Sequence, residues 1–104
     1  MADVKLAKSA KTDLQEIWDY ISEKSIDSAN RVIKDLMEKF QFLAKNSKIG
    51  VTQDNFILNL RKFSHKKYNI FYFEIENGVE IFRVVHSARN IESVFEDFFE
   101  GLKP

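Results

Sequence analysis

Two arginines and a histidine recur at every third position near the end of one apolar run of this sequence. Residues 81–90 read IFRVVHSARN and contain Arg83, His86 and Arg89. A guanidinium can hold a phosphate or a carboxylate through two parallel hydrogen bonds, and an imidazole can exchange a proton near neutral pH. Further side chains able to bind an anion or carry a proton lie upstream, at Arg61, His65, Tyr68 and Tyr72. Such a set could clamp a phosphodiester while a ribose 2′-OH attacks its own phosphate without a metal ion.

Each of these residues also has a structural interpretation that involves no ligand. A guanidinium among apolar neighbours is costly unless it is paired, and an acid such as Glu16 or Asp19 of the first predicted helix could pair with Arg83. His86 could be a hydrogen-bonded structural imidazole, and Arg89 a solvated surface charge. The two tyrosines could be amphipathic residues at a sheet edge. The residue types alone leave both interpretations open.

The composition excludes several classes of protein. The chain has 104 residues, of which 44% are hydrophobic and 31% charged, and this predicts one globular domain over residues 1–104. The formal net charge is zero, which argues against binding through many non-specific phosphate contacts. No apolar run reaches the roughly 18 residues of a membrane span, and the first residues lack a signal-peptide pattern. We therefore expect a cytoplasmic protein with no membrane partner.

Missing motifs narrow the chemistry further. Glycine occurs only at positions 50, 78 and 101, so a glycine-rich nucleotide loop is impossible. Cysteine is absent and the two histidines form no HExxH motif, so neither a thiol nucleophile nor a zinc site is expected. We predict that the protein uses no metal and no cofactor.

Apolar residues at helical spacing predict two helices in the first half of the chain. One stripe runs through residues 10–21 and another through residues 29–44, with Ser9 and Asp27 as candidate N-caps. Because the break between them, SIDS, is short, the helices should form an antiparallel hairpin after a first strand, DVKL.

The second half of the chain has the pattern of β-strands. Three runs rich in aromatic and β-branched residues predict strands at residues 56–63, 68–75 and 79–85. The dipeptide Asn77-Gly78 is typical of a type I′ hairpin turn. A last amphipathic stretch, residues 91–102, predicts a final helix.

The predicted order of elements is β-α-α-β-β-β-α. This order defines an α+β domain in which a helical hairpin packs on a mainly antiparallel sheet. Strict alternation along the last strand would place Arg83 on one face with Val79, Ile81 and Val85, and His86 on the opposite face with Phe82 and Val84.

At this level of detail the chain resembles a known family. The segments AKTDLQEIWDYI, LRKF, YNIFYF and NGVEIFRVVHSARN resemble the RelE/ParE superfamily of bacterial type II toxin-antitoxin toxins, in particular the ParE-like branch. The resemblance covers nearly the whole chain. It is most specific in residues 14–21 and in the RVVHSAR run, at its distance from Leu60-Arg61 and from residues 68–72. It implies the fold described above.

The resemblance also implies a function and partners. A member of this family is a small toxin that a partly disordered antitoxin holds inactive by wrapping it in a hetero-oligomer. ParE-like members inhibit DNA gyrase by protein binding, whereas RelE-like members are metal-independent endoribonucleases that cut messenger RNA on the ribosome. A further alternative is a toxin-fold module that binds antitoxin without activity of its own.

The family residues can be carried over to positions of this sequence. Arg61 and Arg89 match arginines that bind phosphate in the nucleases, with His86 or Tyr72 as proton carrier, and Arg83 with His86 matches the RVxH pattern of the ParE-like branch. No tyrosine follows the last strand and a strong basic excess is missing, and both departures from the nuclease pattern favour gyrase as the target. The residues expected to contact a protein partner are Tyr68, Arg83, Arg89, Phe95, Phe98 and Phe99.

Overall fold

The computed structural model describes residues 2–90 and 92–96 of the chain. The described residues form β1 (Asp3–Leu6), α1 (Lys8–Ser22), α2 (Ile26–Lys45), β2 (Val51–Thr52), β3 (Arg61–His65), β4 (Tyr68–Ile75) and β5 (Gly78–His86). Residues 92–96 are helical and belong to the predicted final helix, whose other residues lie outside the described part of the chain. None of the described helices is long and apolar enough to cross a membrane.

The strands form one mixed sheet with the order β1-β5-β4-β3-β2. β1 runs parallel to β5, whereas the other neighbouring strands are antiparallel. Helices α1 and α2 form the predicted hairpin and pack on one face of this sheet. The predicted α+β architecture is therefore confirmed, and the two-residue strand β2 is an element that the sequence pattern did not indicate.

Both predicted helix caps are wrong. α1 follows Ala7 without a side-chain cap, and the Ser9 hydroxyl instead donates a hydrogen bond to the carbonyl of Phe82, at 2.6 Å. α2 is capped by Ser25, whose hydroxyl accepts from the backbone N–H of Ser28 at 3.1 Å. Asp27 lies in the first turn of α2, where its negative charge favours the helix dipole.

Both faces of the sheet are covered by apolar side chains. The main core lies between the sheet and the helical hairpin and consists of Ala10, Leu14, Leu36, Phe40, Leu43, Ala44, Ile70, Tyr72, Val79, Ile81 and Val84. The second core lies on the opposite face and consists of Leu60, Phe71, Val85, Val94 and Phe95. Because β4 contributes to both cores, its two faces are buried and it reads as a nearly continuous apolar run.

A β-bulge interrupts the pairing of β4 with β5. Ile81 lies opposite Tyr72 and Arg83 lies opposite Phe71, so β5 holds one more residue than β4 between these two pairs, Phe82. A bulge of this kind reverses the alternation of faces along the strand that carries the extra residue.

The prediction of strict alternation is therefore wrong beyond this bulge. Val84, and not Val85, joins Val79 and Ile81 in the main core, whereas Val85 packs in the second core. The bulge also directs His86 to the helical face, where its ring meets that of Tyr68. The irregularity in β5 thus determines which residues face the helical hairpin.

The β4–β5 hairpin is where the sequence predicts it, but its turn is different. The two turn residues are Glu76 and Asn77, and only Asn77 has a positive φ, 64°. Gly78 is already paired with Ile75, and its conformation does not require glycine. Glycine is required there by contact, because a Cβ atom would lie 1.9 Å from the carbonyl oxygen of Asp3.

The predicted strand at residues 56–63 is wrong over most of its length. β3 begins at Arg61, and residues 53–60 form a series of turns. The turns are held by Asp54, whose carboxylate accepts from the N–H of Asn59 at 2.8 Å, and Asn59 has a φ of 69°. Phe56, Ile57 and Leu60 are apolar because this loop covers the second core.

Candidate functional site

A groove of about 840 Å³ opens between the helical hairpin and the end of the sheet where β4 begins and β5 ends. Three of the predicted site residues, Tyr68, His86 and Arg89, line it together. Its other lining residues come from α1, α2, the β3–β4 turn and β5: Asp13, Glu16, Ile17, Tyr20, Ile21, Arg31, Val32, Asp35, Lys66, Lys67, Val84 and Val85. The groove therefore combines an apolar floor with a charged rim.

Tyr68 and His86 form a cross-strand pair on the groove wall. Their ring centroids lie 5.9 Å apart with the rings nearly perpendicular, an arrangement that aromatic rings favour. The backbone N–H of Ala88 donates to Nδ1 of His86 at 3.0 Å, so the neutral imidazole carries its proton on Nε2. Burial, together with the nearby Tyr20 phenol, raises the pKa of Tyr68.

Arg89 lies at the mouth of the groove, in the turn that follows β5. Its backbone N–H donates to the carbonyl of His86 at 3.0 Å, which fixes the position of the turn. Its side chain is exposed, and its guanidinium has no hydrogen-bond or ion-pair partner within residues 2–90 and 92–96. A positive group with five free N–H donors therefore faces solvent beside an aromatic wall.

A second cluster of charges closes the α2 side of the groove. His65 Nε2 lies 2.7 Å from Oδ2 of Asp35, and the Lys66 ammonium lies 3.3 Å from the same oxygen. The hydrogen bond with His65 lowers the pKa of Asp35 against a smaller opposing effect of burial, and Lys66 lowers it further. These contacts join α2 to the β3–β4 turn.

Arg83 is next to the groove but is bound within the protein. The predicted pairing with Glu16 or Asp19 is wrong, because its partner is Asp13, to which Nε and Nη2 donate at 2.7 and 3.0 Å. Asp13 also accepts from the backbone N–H of Val84, at 2.9 Å. β1 pairs with β5 only as far as Ile81, so α1 supplies the partner for the β5 edge beyond that point.

Arg61 and Tyr72 lie together at a different place on the sheet. The Arg61 guanidinium donates to Glu74 at 3.1 Å and to the carbonyls of Lys48 and Gly50 at 3.1 and 2.7 Å. The Tyr72 hydroxyl is buried between the same loop and the sheet: it donates to the carbonyl of Ser47 at 2.8 Å and accepts from the N–H of Gly50 at 2.9 Å.

The close fit of this loop has two consequences. A Cβ atom on Gly50 would lie 2.5 Å from the Tyr72 hydroxyl oxygen, so any larger residue would displace the ring. Burial raises the pKa of Tyr72, with the hydrogen bond from Gly50 acting in the opposite direction. The phenol is therefore protonated at neutral pH and fully occupied in holding the loop.

The four residues predicted as nuclease candidates do not share one site. Arg61 lies opposite Tyr72, and His86 lies opposite Tyr68. Tyr68 and Tyr72 are four residues apart along β4, which corresponds to about 14 Å along a strand. Arg61 with Tyr72 and His86 with Arg89 thus form two pairs at separate places on the sheet.

Of the three phenylalanines predicted to contact a partner, one lies among the described residues. Phe95 is completely buried in the second core, with its ring edge-on to Phe71 at 5.1 Å and stacked parallel to Phe82 at 6.0 Å. Its side chain therefore presents no surface in this arrangement. Phe98 and Phe99 lie outside the described residues.

Two acids that hold this region together, Asp13 and Asp35, are not among the residues predicted from the sequence. One signal was available for Asp13, because it stands three residues after Ala10 and four before Ile17, at a position of the apolar stripe of α1. An acid at such a position must find a partner when it is buried. Asp35 gives no such signal, since its partner His65 is thirty residues away in the chain.

Comparison with solved structures shows that this fold occurs in another protein. A solved structure described as "Chromosomal ParDE TA system from P. aeruginosa" has the same fold, with a TM-score of 0.67 at 18% identity over 83% of this chain and 96% of that chain. The likeness shows that the two chains share one fold, which in this chain is a helical hairpin on a five-stranded sheet.

The family model agrees with the fold. The model described as ParE toxin of type II toxin-antitoxin system, parDE, matches residues 4–91, and the chain belongs to this family. Toxin ParE1 of Caulobacter vibrioides is 26% identical over 91 residues, which are 86% of this chain and 94% of that toxin. Toxin ParE1 of Mycobacterium tuberculosis strain H37Rv is 27% identical over 89 residues, 84% of this chain and 91% of that toxin. The protein is therefore the toxin component of a type II toxin-antitoxin system, and its partner is an antitoxin.

Proposed function

We propose that this toxin arrests growth in the cytoplasm by binding DNA gyrase, and that a cognate antitoxin neutralises it. The chain belongs to the ParE family, and its resemblance to ParE-like toxins implies gyrase as the target. The observation that carries the proposal is the distribution of the nuclease candidates. A ribonuclease needs its phosphate-binding and proton-carrying groups within hydrogen-bond reach of one scissile phosphate.

The four carried-over nuclease candidates do not converge in this way. Arg61 is held by Glu74 and by the loop carbonyls, and the Tyr72 hydroxyl is buried with both a donor and an acceptor. Of the remaining candidates, His86 lies about 14 Å further along the sheet, and Arg89 lies in the turn that follows it. A function that depends on protein binding requires no such convergence, and this favours gyrase inhibition over RNA cleavage.

The groove is the surface that we assign to the antitoxin. Tyr68 offers an aromatic face, and Arg89 offers a guanidinium that has no polar partner among the described residues. Tyrosine and arginine are enriched among the residues that carry most of the binding energy at protein interfaces. Arg31 and Lys67 add positive charge to the rim, whereas Asp13 and Asp35 are already engaged by cations of the toxin. A helix or extended segment with apolar anchors and acidic neighbours would match this lining.

The direct test of the target uses purified components. The toxin is added to gyrase, ATP and relaxed plasmid, and both supercoiling and cleaved DNA are measured. We expect loss of supercoiling and accumulation of cleaved DNA, reversed when the antitoxin is added. In a control without gyrase, toxin and plasmid are incubated alone, and no cleaved DNA should appear.

Three results would point elsewhere. Unchanged supercoiling together with cleavage of messenger RNA on translating ribosomes would establish the ribonuclease alternative and contradict the proposal. Growth arrest in cells without an increase in DNA breaks would also contradict it. Absence of any growth arrest would indicate a module that binds antitoxin without activity.

A further inference from the structure

Among the described strands, β1 lies at the edge of the sheet and has a neighbour on one side only. The N–H of Asp3 donates to the carbonyl of Asn77 at 2.8 Å, and the N–H of Ala7 donates to that of Ile81 at 2.9 Å. Successive residues of a strand direct their backbone groups to opposite sides, so Val4 and Leu6 direct theirs away from β5. Within the described part of the chain, no strand pairs with β1 on that side.

The side chains along this edge are self-complementary in charge. Asp3 and Lys5 are exposed, and neither forms an ion pair with another described residue. Val4 and Leu6 lie on the other face, packed against the main core. In an antiparallel pair of two copies with Val4 opposite Val4, Asp3 of each copy lies opposite Lys5 of the other, and the pair of opposite charges occurs twice.

Neighbouring registers lose this match. Moving the centre of the pairing from Val4 to Asp3 places Asp3 opposite itself, and moving it to Lys5 places Lys5 opposite itself, so like charges meet in both cases. A slip of one residue places Val4 opposite Lys5 and puts the two helical hairpins on opposite faces. Only the register centred on Val4 combines matched charges with outward-facing backbone groups at its centre.

We propose that a second copy of this chain pairs antiparallel with β1 around a two-fold axis at Val4. The two sheets then become one continuous sheet, with both helical hairpins on the same face. The edge has no proline and no bulge, two of the features that prevent such pairing. Because one short strand from each copy covers less than the roughly 1,000 Å² of a stable interface, the dimer is weak and reversible.

Charge exchange between two variants tests the register. Sedimentation equilibrium of the free toxin should show the weight-average mass rising with concentration from 12.2 kDa toward twice that value. Asp3→Lys and Lys5→Asp each put like charges opposite one another and should lower the association constant about tenfold. An equal mixture of the two variants restores opposite charges and should associate as the wild type does. Lys48→Glu, beside the opposite edge of the sheet, is the matched control and should not change association.

A backbone variant tests the edge without changing any charge. Val4→Pro removes an N–H that points away from β5, so circular dichroism should show an intact fold while association is lost. A wild-type toxin that stays at 12.2 kDa at all concentrations would overturn the proposal, and so would single charge variants that associate as tightly as the wild type. Protection of the Val4 amide from hydrogen exchange only after antitoxin is added would show that an antitoxin strand occupies the edge, and would also overturn it.

Discussion

The protein contains two pairs of arginine and tyrosine, one within the sheet and one at its end, and the pairs differ in how their polar groups are hydrogen-bonded. Arg61 and Tyr72 donate or accept five hydrogen bonds within the protein and hold the loop before β2. Arg89 and Tyr68 line an open groove, and the Arg89 guanidinium contacts no other described polar group. The two pairs contain the same residue types, but only Arg89 and Tyr68 lie where a ligand can reach them.

This difference shows why residue type is a poor guide to a site. Arg61 would have to give up bonds to Glu74 and to two carbonyls before it could bind a phosphate, and those groups would lose their partner. Arg89 would give up no hydrogen bond or ion pair with a described residue. The same reasoning places Arg83 with the structural pair, although it lies beside the groove, because Asp13 holds its guanidinium.

The largest effect is expected where a charge pair is buried. Asp13→Ala leaves the Arg83 guanidinium and the N–H of Val84 without their acceptor, and should lower the free energy of unfolding by about 3–5 kcal/mol. Urea unfolding measures this loss. Glu16→Ala, one turn later on an exposed position of α1, should change stability by less than about 0.5 kcal/mol. Equal effects of the two variants would show that Asp13 has no special structural role.

A smaller effect is expected at the buried phenol. Tyr72→Phe keeps the ring but leaves the N–H of Gly50 and the carbonyl of Ser47 without a partner, so the free energy of unfolding should fall by about 1–3 kcal/mol. Thermal unfolding followed by circular dichroism is a suitable measurement. Tyr20→Phe, at a residue that is 78% exposed, is the matched control and should be neutral. A neutral Tyr72→Phe would mean that the hydroxyl is free for another role.

The charge cluster beside the groove should give a weak dependence on pH. The pKa of Asp35 is lowered in the folded state, so its contribution to stability is present above its ordinary value of 3.8 and is lost as pH falls through the lower folded value. Since the pair is partly exposed, the contribution should be below about 1 kcal/mol. Urea midpoints of the wild type and Asp35→Asn, compared from pH 6 to pH 3, should converge at the acid end. A difference between the two urea midpoints that does not change with pH would show that the substitution acts through packing and not through the charge of Asp35.

The smallest effect on stability is expected for Arg89, at the mouth of the groove. Arg89→Ala removes an exposed side chain without a described polar partner and should change the free energy of unfolding by less than about 0.5 kcal/mol. Urea unfolding in parallel with the Asp13 variant measures this directly. A loss above about 1 kcal/mol would place Arg89 with the structural residues.

The sequence predicts those elements in which buried residues recur at the regular spacing of a helix or a strand. Helical spacing identifies α1 and α2, and the predicted strands DVKL and 68–75 coincide with β1 and β4. Residues 56–60 of the loop have the composition of a strand because their apolar side chains cover a core, so the pattern predicts a strand where the structure has turns. The bulge in β5 depends on pairing with β4, which no local pattern reveals.

The candidate site was predictable only in part, for a related reason. The sequence offered the residue types, and three of them do meet in the groove. Their separation from Arg61 and Tyr72 depends on the register of the strands, and the engagement of Arg83 depends on Asp13, which lies seventy residues away in the chain. Contacts over such distances are not visible in spacing or composition.

The most direct test of this account measures antitoxin affinity for two charge-reversed toxins by isothermal titration calorimetry. Arg89→Glu reverses a free charge in the groove, and Lys48→Glu reverses an exposed charge beside β2, at the other edge of the sheet. We predict that Arg89→Glu weakens antitoxin binding about tenfold or more while Lys48→Glu leaves it unchanged. Unchanged affinity for Arg89→Glu, or an equal loss for Lys48→Glu, would contradict the assignment of the groove as the surface that binds the antitoxin.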